Sequence, residues 1–366
     1  MVRQEIACDE SGAEGEKLLD GNTDVFAHAS VRLSTEAADN CVREIRDRIR
    51  SPASVYKSNH LLREKSRPVL TWLLGPSGPV SGNAHVLLAD KTFLLISKLT
   101  GLIADDETDA AGTGLCQDQR AKAMAVTLYR DGQGKFGAEK WHAFLESFND
   151  LMRAKNGRSA QVTIDSFFRM VDVLRLSSAP DRAGMPDRAG EIMELLRQSR
   201  PRAAAFFRVQ PPGSPRMIPA LDPLVPAIVA AVAYWSAGSV PVSVVHDRQT
   251  ALTDERISQL REICGGLHSA SRRHPPVGQL ASLRLVDSSS DSRVQVADFL
   301  AGVARKIASD ELGCRGDAEL TALLRPYVDA FSIWGDDRSW SLLGPMPGHC
   351  AAGLGEARLG GLRPLP

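Results

Sequence analysis

Acidic residues close three of the strand-like segments of this sequence. Asp9, Asp90 and Asp247 each follow a short apolar run. In open α/β sheets, strand ends line the crevice in which ligands bind. Several unpaired carboxylates at such an edge are costly, and a divalent cation is the common remedy. The pattern therefore predicts a metal site, although a single Asp after a strand is also an ordinary turn residue.

A fourth acid lies in an apolar helical segment near the C-terminus. Asp298 shares one helical face with Asp291, Gln295 and Gly302, because these residues follow one another at spacings of four, three and four. An Asp inside an apolar helix is expensive to bury without a partner. A metal ion and a salt bridge both satisfy that requirement, and the roles of Asp291 and Gln295 stay open. Gly302 predicts the close approach of a neighbouring backbone.

Phosphodiester hydrolysis is one reaction that a metal-binding set of carboxylates can serve. The reaction needs an activated water and a stabilised leaving oxygen, and two Mg²⁺ ions about 3.5–4 Å apart provide both. Carboxylates supply the hard oxygen ligands that Mg²⁺ or Mn²⁺ prefers. Lys57 is a candidate to hold a phosphate as a point charge, against the alternative of a solvated surface lysine.

The segment 43–67 is basic within a neutral chain. It holds eight Arg and Lys residues against three acids, a local excess of five positive charges, whereas the whole chain has 44 residues of each sign. We expect nucleic acid as a partner on this face. The alternative is a solvated helix face, which often carries such charge without any partner.

Apolar patterns predict the elements that must position these residues. Strands are expected at 4–8, 25–33, 84–89, 240–246 and 280–286, and helices at 36–50, 61–74, 218–237, 254–264 and 291–310. This alternation predicts an α/β fold whose sheet carries a large helical insertion at about 92–239. The domain is expected to span 1–343, and the Gly- and Pro-rich residues 344–366 to form a disordered tail.

Composition excludes several classes of protein. With 43% hydrophobic and 24% charged residues, the 366-residue chain is typical of a globular protein with a large core. Its six cysteines form no Cys-x-x-Cys pair, which argues against a zinc ribbon or a thioredoxin-type motif. The N-terminus lacks an apolar signal segment, and the most apolar run, 224–237, is too short to span a bilayer. We expect a cytoplasmic protein without membrane contact.

Two motifs near the ends of the chain resemble the domain of unknown function 3800 family. The sequence DESG at 9–12 matches the family's Asp-Glu-Ser-Gly after a first strand. The sequence QVADFLAG at 295–302 matches its C-terminal Gln-x-Ala-Asp-x-x-Ala-Gly helix. The stretches YKS at 56–58 and DK at 90–91 resemble internal landmarks of that family, so that the resemblance brackets residues 6–306.

The resemblance implies a ribonuclease-H-like fold, with a mixed sheet flanked by helices, and a metal-dependent nuclease activity. It assigns Asp9, Asp247 and Asp298 to the catalytic and metal-binding site. Glu10 is implied as an auxiliary ligand, although its side chain points away from Asp9 if the strand pleat continues. The family pattern places a Glu where this chain has Val55. A catalytically inactive ribonuclease-H-like binding or scaffold protein therefore stays open as the alternative.

Overall fold

One mixed sheet of five strands, flanked by helices, organises the molecule, in the order β3-β2-β1-β4-β5. The computed structural model describes residues 4–50, 56–104, 119–153, 158–177, 187–208, 221–236, 240–265 and 278–346. The strands are β1 Gln4–Ser11, β2 Val25–Val31, β3 Ala84–Asp90, β4 Val242–Asp247 and β5 Leu280–Val286. β1 pairs antiparallel with β2 and parallel with β4, while β2 and β3 are antiparallel and β4 and β5 parallel. The predicted α/β class is confirmed.

Helices cover both faces of this sheet. They are α1 Thr35–Ile49, α2 Ser58–Leu61, α3 Arg67–Leu74, α4 Lys91–Ala104, α5 Gln119–Phe136, α6 Ala138–Arg153, α7 Arg158–Ser177, α8 Arg188–Gln198, α9 Arg200–Arg208, α10 Leu224–Ser236, α11 Asp254–Cys264, α12 Ser292–Leu312, α13 Ala318–Leu324 and α14 Asp337–Leu343. The single helix predicted at 61–74 is wrong. α2 ends at Leu61, and α3 begins at Arg67 with Pro68 in its first turn, because proline fits a first helical turn and not a helix interior.

Alternating side chains divide the sheet between two cores. Ile6 of β1 points to a core that contains side chains of α4 to α11, whereas Ala7 points to a core with α1, α3 and α12. Val244 and Val245 of β4 divide in the same way. Helices α4 to α10 occupy the described residues between β3 and β4, where a helical pattern is expected. Their origin as an insertion stays a prediction.

A C-terminal segment covers the free edge of β3. Asp329 N donates to Val86 O at 2.8 Å, and Ile333 N donates to Leu88 O at 2.8 Å. These bonds satisfy backbone groups that an open sheet edge would leave unpaired. The sequence patterns predicted no element in this region, and nearly all of the predicted tail lies outside the described residues. Within the described ranges, no helix combines the length and apolar character needed to cross a membrane.

Candidate carboxylate site

Asp9 and Asp247 lie side by side at one edge of the sheet. β1 and β4 run parallel, and the residues just before the two acids are paired in register. Because side chains alternate along a strand, Asp9 points to the same face as Ala7, and Asp247 to the same face as Val245. Both of these apolar residues pack in the core that contains α12. The two carboxylates therefore face α12.

Asp298 brings a third carboxylate to this edge from α12. Burial raises the pKa of Asp9 to about 9, and repulsion from Glu10, Asp298 and Asp247 adds to the rise. Burial also raises the pKa of Asp298, with Lys57 opposing the rise and Asp247 adding to it. Such repulsion requires that the carboxylates lie near one another. Acids that are far apart in the sequence thus form one cluster, which we call the carboxylate cluster (Asp9, Asp247 and Asp298).

Lys57 is the cation that the described structure places against this cluster. Its Nζ lies 3.2 Å from Asp298 Oδ2. The contact is an ion pair between the lysine ammonium and a buried carboxylate oxygen. After burial, which opposes the shift, the charges of Asp298, Asp9 and Asp247 raise the pKa of Lys57. One positive charge that is half exposed therefore faces three acids.

Gly302 allows Lys57 to reach Asp298. A Cβ at this glycine would lie 2.0 Å from Ser58 Oγ and 2.3 Å from Ser58 Cβ. Any larger residue would push away the start of α2, and Lys57 immediately precedes that helix. Gly302 also lies one helical turn beyond Asp298 on the same face of α12. The close approach at Gly302 is that of the Ser58 side chain and not of a neighbouring backbone as predicted, and its consequence is the position of the lysine.

Gly12 fixes the turn that follows Asp9. Its φ of +85° lies in the left-handed region, and a Cβ there would meet Val25 O at 2.4 Å. The neighbouring Ser11 Oγ accepts a hydrogen bond of 3.0 Å from Arg305 Nε of α12. The last two residues of the DESG sequence therefore bind the end of β1 to α12, which holds Asp9 beside Asp298.

A cavity of about 150 Å³ opens beside the carboxylate cluster. Its lining comes from α1, the residues before α2, the loop after β5, and α12. The lining residues are Arg46, Tyr56, Lys57, Ser288, Ser289, Gln295 and Asp298. Of these residues, Gln295 was identified without a role, Arg46 and Tyr56 only as members of the basic segment 43–67 and of the YKS stretch, and Ser288 and Ser289 were not predicted. The serine run before α12 was visible, but nothing in the sequence indicated that this loop faces α1.

Glu10 lies on the opposite face of the sheet from Asp9. Gln249 Nε2 donates a hydrogen bond to Glu10 Oε1, and Nε2 of the buried His246 lies 3.7 Å from Glu10 Oε2. His28 stacks on His246 with ring centroids 5.4 Å apart. Neither ring nitrogen of His28 has a hydrogen-bond partner among the described residues. Glu10 belongs to this separate buried polar cluster, and its position gives no support to the predicted role as an auxiliary metal ligand.

Asp90 does not join the carboxylate cluster, although it also ends a strand. Asp9 pairs with Ala29 of β2, whereas Asp90 pairs with Val25 of β2 from the other side. The two acids are therefore separated by the width of β2 and by four residues along it. Asp90 Oδ1 accepts hydrogen bonds from the backbone N–H groups of Thr92 and Phe93, at 2.9 and 3.1 Å, at the start of α4. Burial raises the pKa of Asp90 to about 6. Asp90 caps a helix, and its predicted grouping with the other strand-end acids is wrong.

The basic face predicted at 43–67 is partly neutralised within the molecule. Arg67 contacts Asp317 at 2.5 Å and Glu319 at 2.6 Å. Arg48 lies 2.7 Å from an acid one helical turn earlier. The positive charge that remains close to the carboxylate cluster is that of Lys57 and of the cavity lining.

The carboxylate cluster has the donor chemistry of a Mg²⁺ or Mn²⁺ site, but its members do not surround one point. Carboxylate oxygens suit these hard cations. Within the described ranges, however, no group of three or more His, Cys, Asp or Glu side chains is placed to hold a metal ion. Cation binding would therefore require Lys57 to leave Asp298 and the acids to move closer together.

Comparison with known proteins adds nothing to this geometry. No family model, no curated protein and no solved structure matches the chain.

Proposed function

We propose that this protein is a Mg²⁺- or Mn²⁺-dependent phosphodiester hydrolase that acts on nucleic acid. The observation that carries the proposal is the meeting of three acids from β1, β4 and α12, with Lys57 as the cation placed against them. The mixed sheet, with β1 central between an antiparallel and a parallel neighbour, is consistent with a ribonuclease-H-like scaffold. The resemblance at 9–12 and 295–302 supports the same assignment.

The electrostatics of the carboxylate cluster favour a functional role over a structural one. A structural acid is usually satisfied by a partner that lowers its pKa. Burial and neighbouring carboxylates raise the pKa of Asp9 and of Asp298. Burial also raises the pKa of the helix cap Asp90, but that carboxylate accepts two backbone hydrogen bonds, whereas Asp9 accepts one from the backbone of Glu10. Perturbations of this kind concentrate at sites where a ligand supplies the missing charge. A divalent cation would supply that charge here.

Each residue of the site has a distinct part in this mechanism. Asp9, Asp247 and Asp298 would hold the cation, whose chemistry is to activate a water and to stabilise the leaving oxygen. Ser288 N donates a 2.9 Å hydrogen bond to Asp247 Oδ1, which orients that carboxylate toward the loop after β5. Lys57, once released from Asp298, would neutralise a phosphate oxygen of the substrate.

Cleavage assays with paired variants test this proposal. Single-stranded and duplex DNA and RNA oligonucleotides would be incubated with the protein in Mg²⁺, in Mn²⁺ or in chelator. We expect cation-dependent cleavage that falls by at least about 100-fold in Asp9→Asn and in Asp298→Asn, because each loses a carboxylate that would bind the cation. Asp291→Asn is the matched control, since it changes the same residue type on α12 outside the carboxylate cluster.

Two results would overturn the assignment. Cleavage that persists unchanged in Asp9→Asn and Asp298→Asn would exclude these residues as the catalytic site. Absence of cleavage of all four substrates with either cation would remove the hydrolase proposal itself.

A non-catalytic binding protein is the second candidate. The absence of an assembled group of three metal ligands among the described residues favours it. Val55, where the family pattern has Glu, also favours the non-catalytic protein, although this residue lies outside the described residues. Calorimetric titration with Mg²⁺ and Mn²⁺ separates the candidates. Millimolar or tighter binding that is lost in Asp9→Asn would count against the non-catalytic protein.

A further inference from the structure

The cavity beside the carboxylate cluster is lined by Arg46 and Gln295, to which the proposed hydrolysis assigns no role, as well as by Lys57 and Asp298. Arg46 and Lys57 bring two positive charges to its wall, while Ser288 and Gln295 bring a hydroxyl and an amide. Asp298 is the acid in the lining, at the border with the carboxylate cluster. At about 150 Å³ the cavity is smaller than the roughly 300–1,000 Å³ of a typical small-molecule site. Its size and polarity suit a compact oxyanion better than a nucleoside.

Arg46 is held in place without being neutralised. Its guanidinium carbon lies 5.7 Å from the centre of the Tyr56 ring, and Tyr56 is only 4% exposed. Among the described residues, Arg46 makes no ion pair with a carboxylate, whereas Arg48 and Arg67 of the same segment do. A guanidinium that rests on a buried ring keeps its donors available for a bidentate contact with a phosphate.

We propose that this cavity binds a phosphate group of the substrate between Arg46 and Lys57, next to the phosphodiester that is cleaved. This inference rests on the proposed function, because it places the phosphate relative to that reaction. It defines the substrate as a strand that carries a phosphate beside the cleaved bond. Arg46 is then a binding residue for the neighbouring nucleotide.

Phosphate binding in the cavity is coupled to cation binding at the acids, because both depend on Lys57. Without a cation, the Lys57 ammonium lies on Asp298, 3.2 Å away. A cation on Asp298 would release that ammonium toward the cavity and would also cancel the negative charge beside it. Each ligand must then increase the affinity of the other by the same factor.

Binding of inorganic phosphate, measured by calorimetry without any cleavage, tests the inference. We expect Arg46→Gln to weaken phosphate binding about 10-fold, the loss of one charged hydrogen-bonding contact. Arg43→Gln is the matched control: it lies one helical turn earlier on α1, bonds to Asn40 at 3.0 Å and does not line the cavity. It should change the affinity by less than about twofold, which is within the effect of a surface charge. Thermal melts would confirm that both variants are folded.

The coupling is tested by repeating the titration with Mg²⁺. We expect Mg²⁺ to tighten phosphate binding by at least about fivefold in the wild type and not in Asp298→Asn. Equal weakening by Arg46→Gln and Arg43→Gln, or no phosphate binding with or without Mg²⁺, would overturn the inference. Phosphate binding without any cleavage of nucleic acid would instead remove only the hydrolase proposal, so the two failures are distinguishable.

Discussion

Two acids on the same helix, seven residues apart, have opposite environments. Asp291 caps the N-terminus of α12 and receives hydrogen bonds from Arg293 Nε at 3.0 Å and from its terminal nitrogen at 2.7 Å. Burial alone would raise the pKa of Asp291, but these contacts lower it. Asp298 lies two turns further along, where burial raises its pKa against the pull of Lys57. One acid is satisfied by the fold, and the other is not.

This difference separates a structural acid from a candidate functional one. Arg293 forms ion pairs with Asp291 and with Glu5, which lies 2.6 Å away. Asp291 is therefore paired with a cation that a second acid also holds in position. Asp298 shares a single half-exposed lysine with two further acids. Carboxyl groups with raised pKa values and charged neighbours are concentrated at catalytic and ligand-binding sites. Substitutions at the two places should therefore act in opposite directions.

The largest expected effect is stabilisation by Asp9→Asn. The pKa of Asp9 is raised from 3.8 to about 9, so the folded chain holds this carboxyl protonated at pH 7 while the unfolded chain does not. This difference lowers the free energy of unfolding of the wild type by about 1.4 kcal/mol for each pH unit above 3.8. We therefore expect the free energy of unfolding of Asp9→Asn to exceed that of the wild type by about 2–4 kcal/mol at pH 7. Urea unfolding in chelator would measure it.

The pH dependence of the free energy of unfolding tests the direction of this prediction. The folded wild type binds more protons than the unfolded chain between pH 4 and pH 9, so its stability falls as pH rises through that window. The gain from Asp9→Asn should therefore be near zero at pH 4 and should grow with pH. Asp47→Asn makes the same substitution on the exposed side of α1 and should change stability by less than about 0.5 kcal/mol. A gain that is constant across this range would contradict the assignment.

The next effect in size is stabilisation by a divalent cation. Mg²⁺ at about 100 times its dissociation constant should stabilise the wild type by about 2.7 kcal/mol, because it binds the folded carboxylate cluster alone. Mg²⁺ should stabilise Asp291→Asn as much as the wild type and Asp298→Asn much less, because only Asp298 belongs to the carboxylate cluster. Thermal unfolding with Mg²⁺ against chelator measures both. Equal gains in the two variants would place the cation elsewhere.

The sheet could be predicted from the sequence because its strands are short apolar runs that end at turn formers. Every strand was placed within a few residues, and the capped helix Asp254–Cys264 was placed at its observed bounds. The edge segment around Asp329 and Ile333 could not be predicted. It pairs through isolated bridges with β3, and no periodic pattern marks such pairing.

The candidate site could be predicted only in part. Asp9, Asp247 and Asp298 follow from strand ends and helical spacing, but the same reasoning included Asp90, since the sequence does not show which acid caps a helix. Arg46 could be predicted only as one of the eight basic residues of 43–67, because its separate role depends on α1 lying across the cavity from the loop after β5. The chemistry of each residue depends on neighbours that are distant in the sequence. The periodicity of the sequence predicts only which face of a helix or strand the residue occupies.

A smaller effect of the opposite sign is expected for Asp291→Asn. Asparagine keeps the cap, since its side-chain oxygen can accept the 3.0 Å bond from Arg293 N. Its amide nitrogen cannot accept the 2.7 Å bond from Arg293 Nη2, so the substitution removes the negative charge and one hydrogen bond to Arg293. We expect a loss of about 1–2 kcal/mol at pH 7, because Arg293 is only 13% exposed and retains Glu5. Urea unfolding measures the loss, and the double variant with Arg293→Gln should show coupling. A stabilised Asp291→Asn would erase the contrast with Asp298.

The smallest effect is expected for Lys57→Met. Lys57 is 48% exposed, and an ion pair with that exposure contributes at most about 1 kcal/mol. Methionine keeps most of the apolar stem, so packing against α12 should change little. Urea unfolding should therefore show a loss of less than about 1 kcal/mol, while the affinity for Mg²⁺ should rise, because the cation no longer competes with the ammonium for Asp298. A loss of several kcal/mol with unchanged Mg²⁺ affinity would mean that Lys57 and Asp298 form a structural pair like that of Arg293 and Asp291.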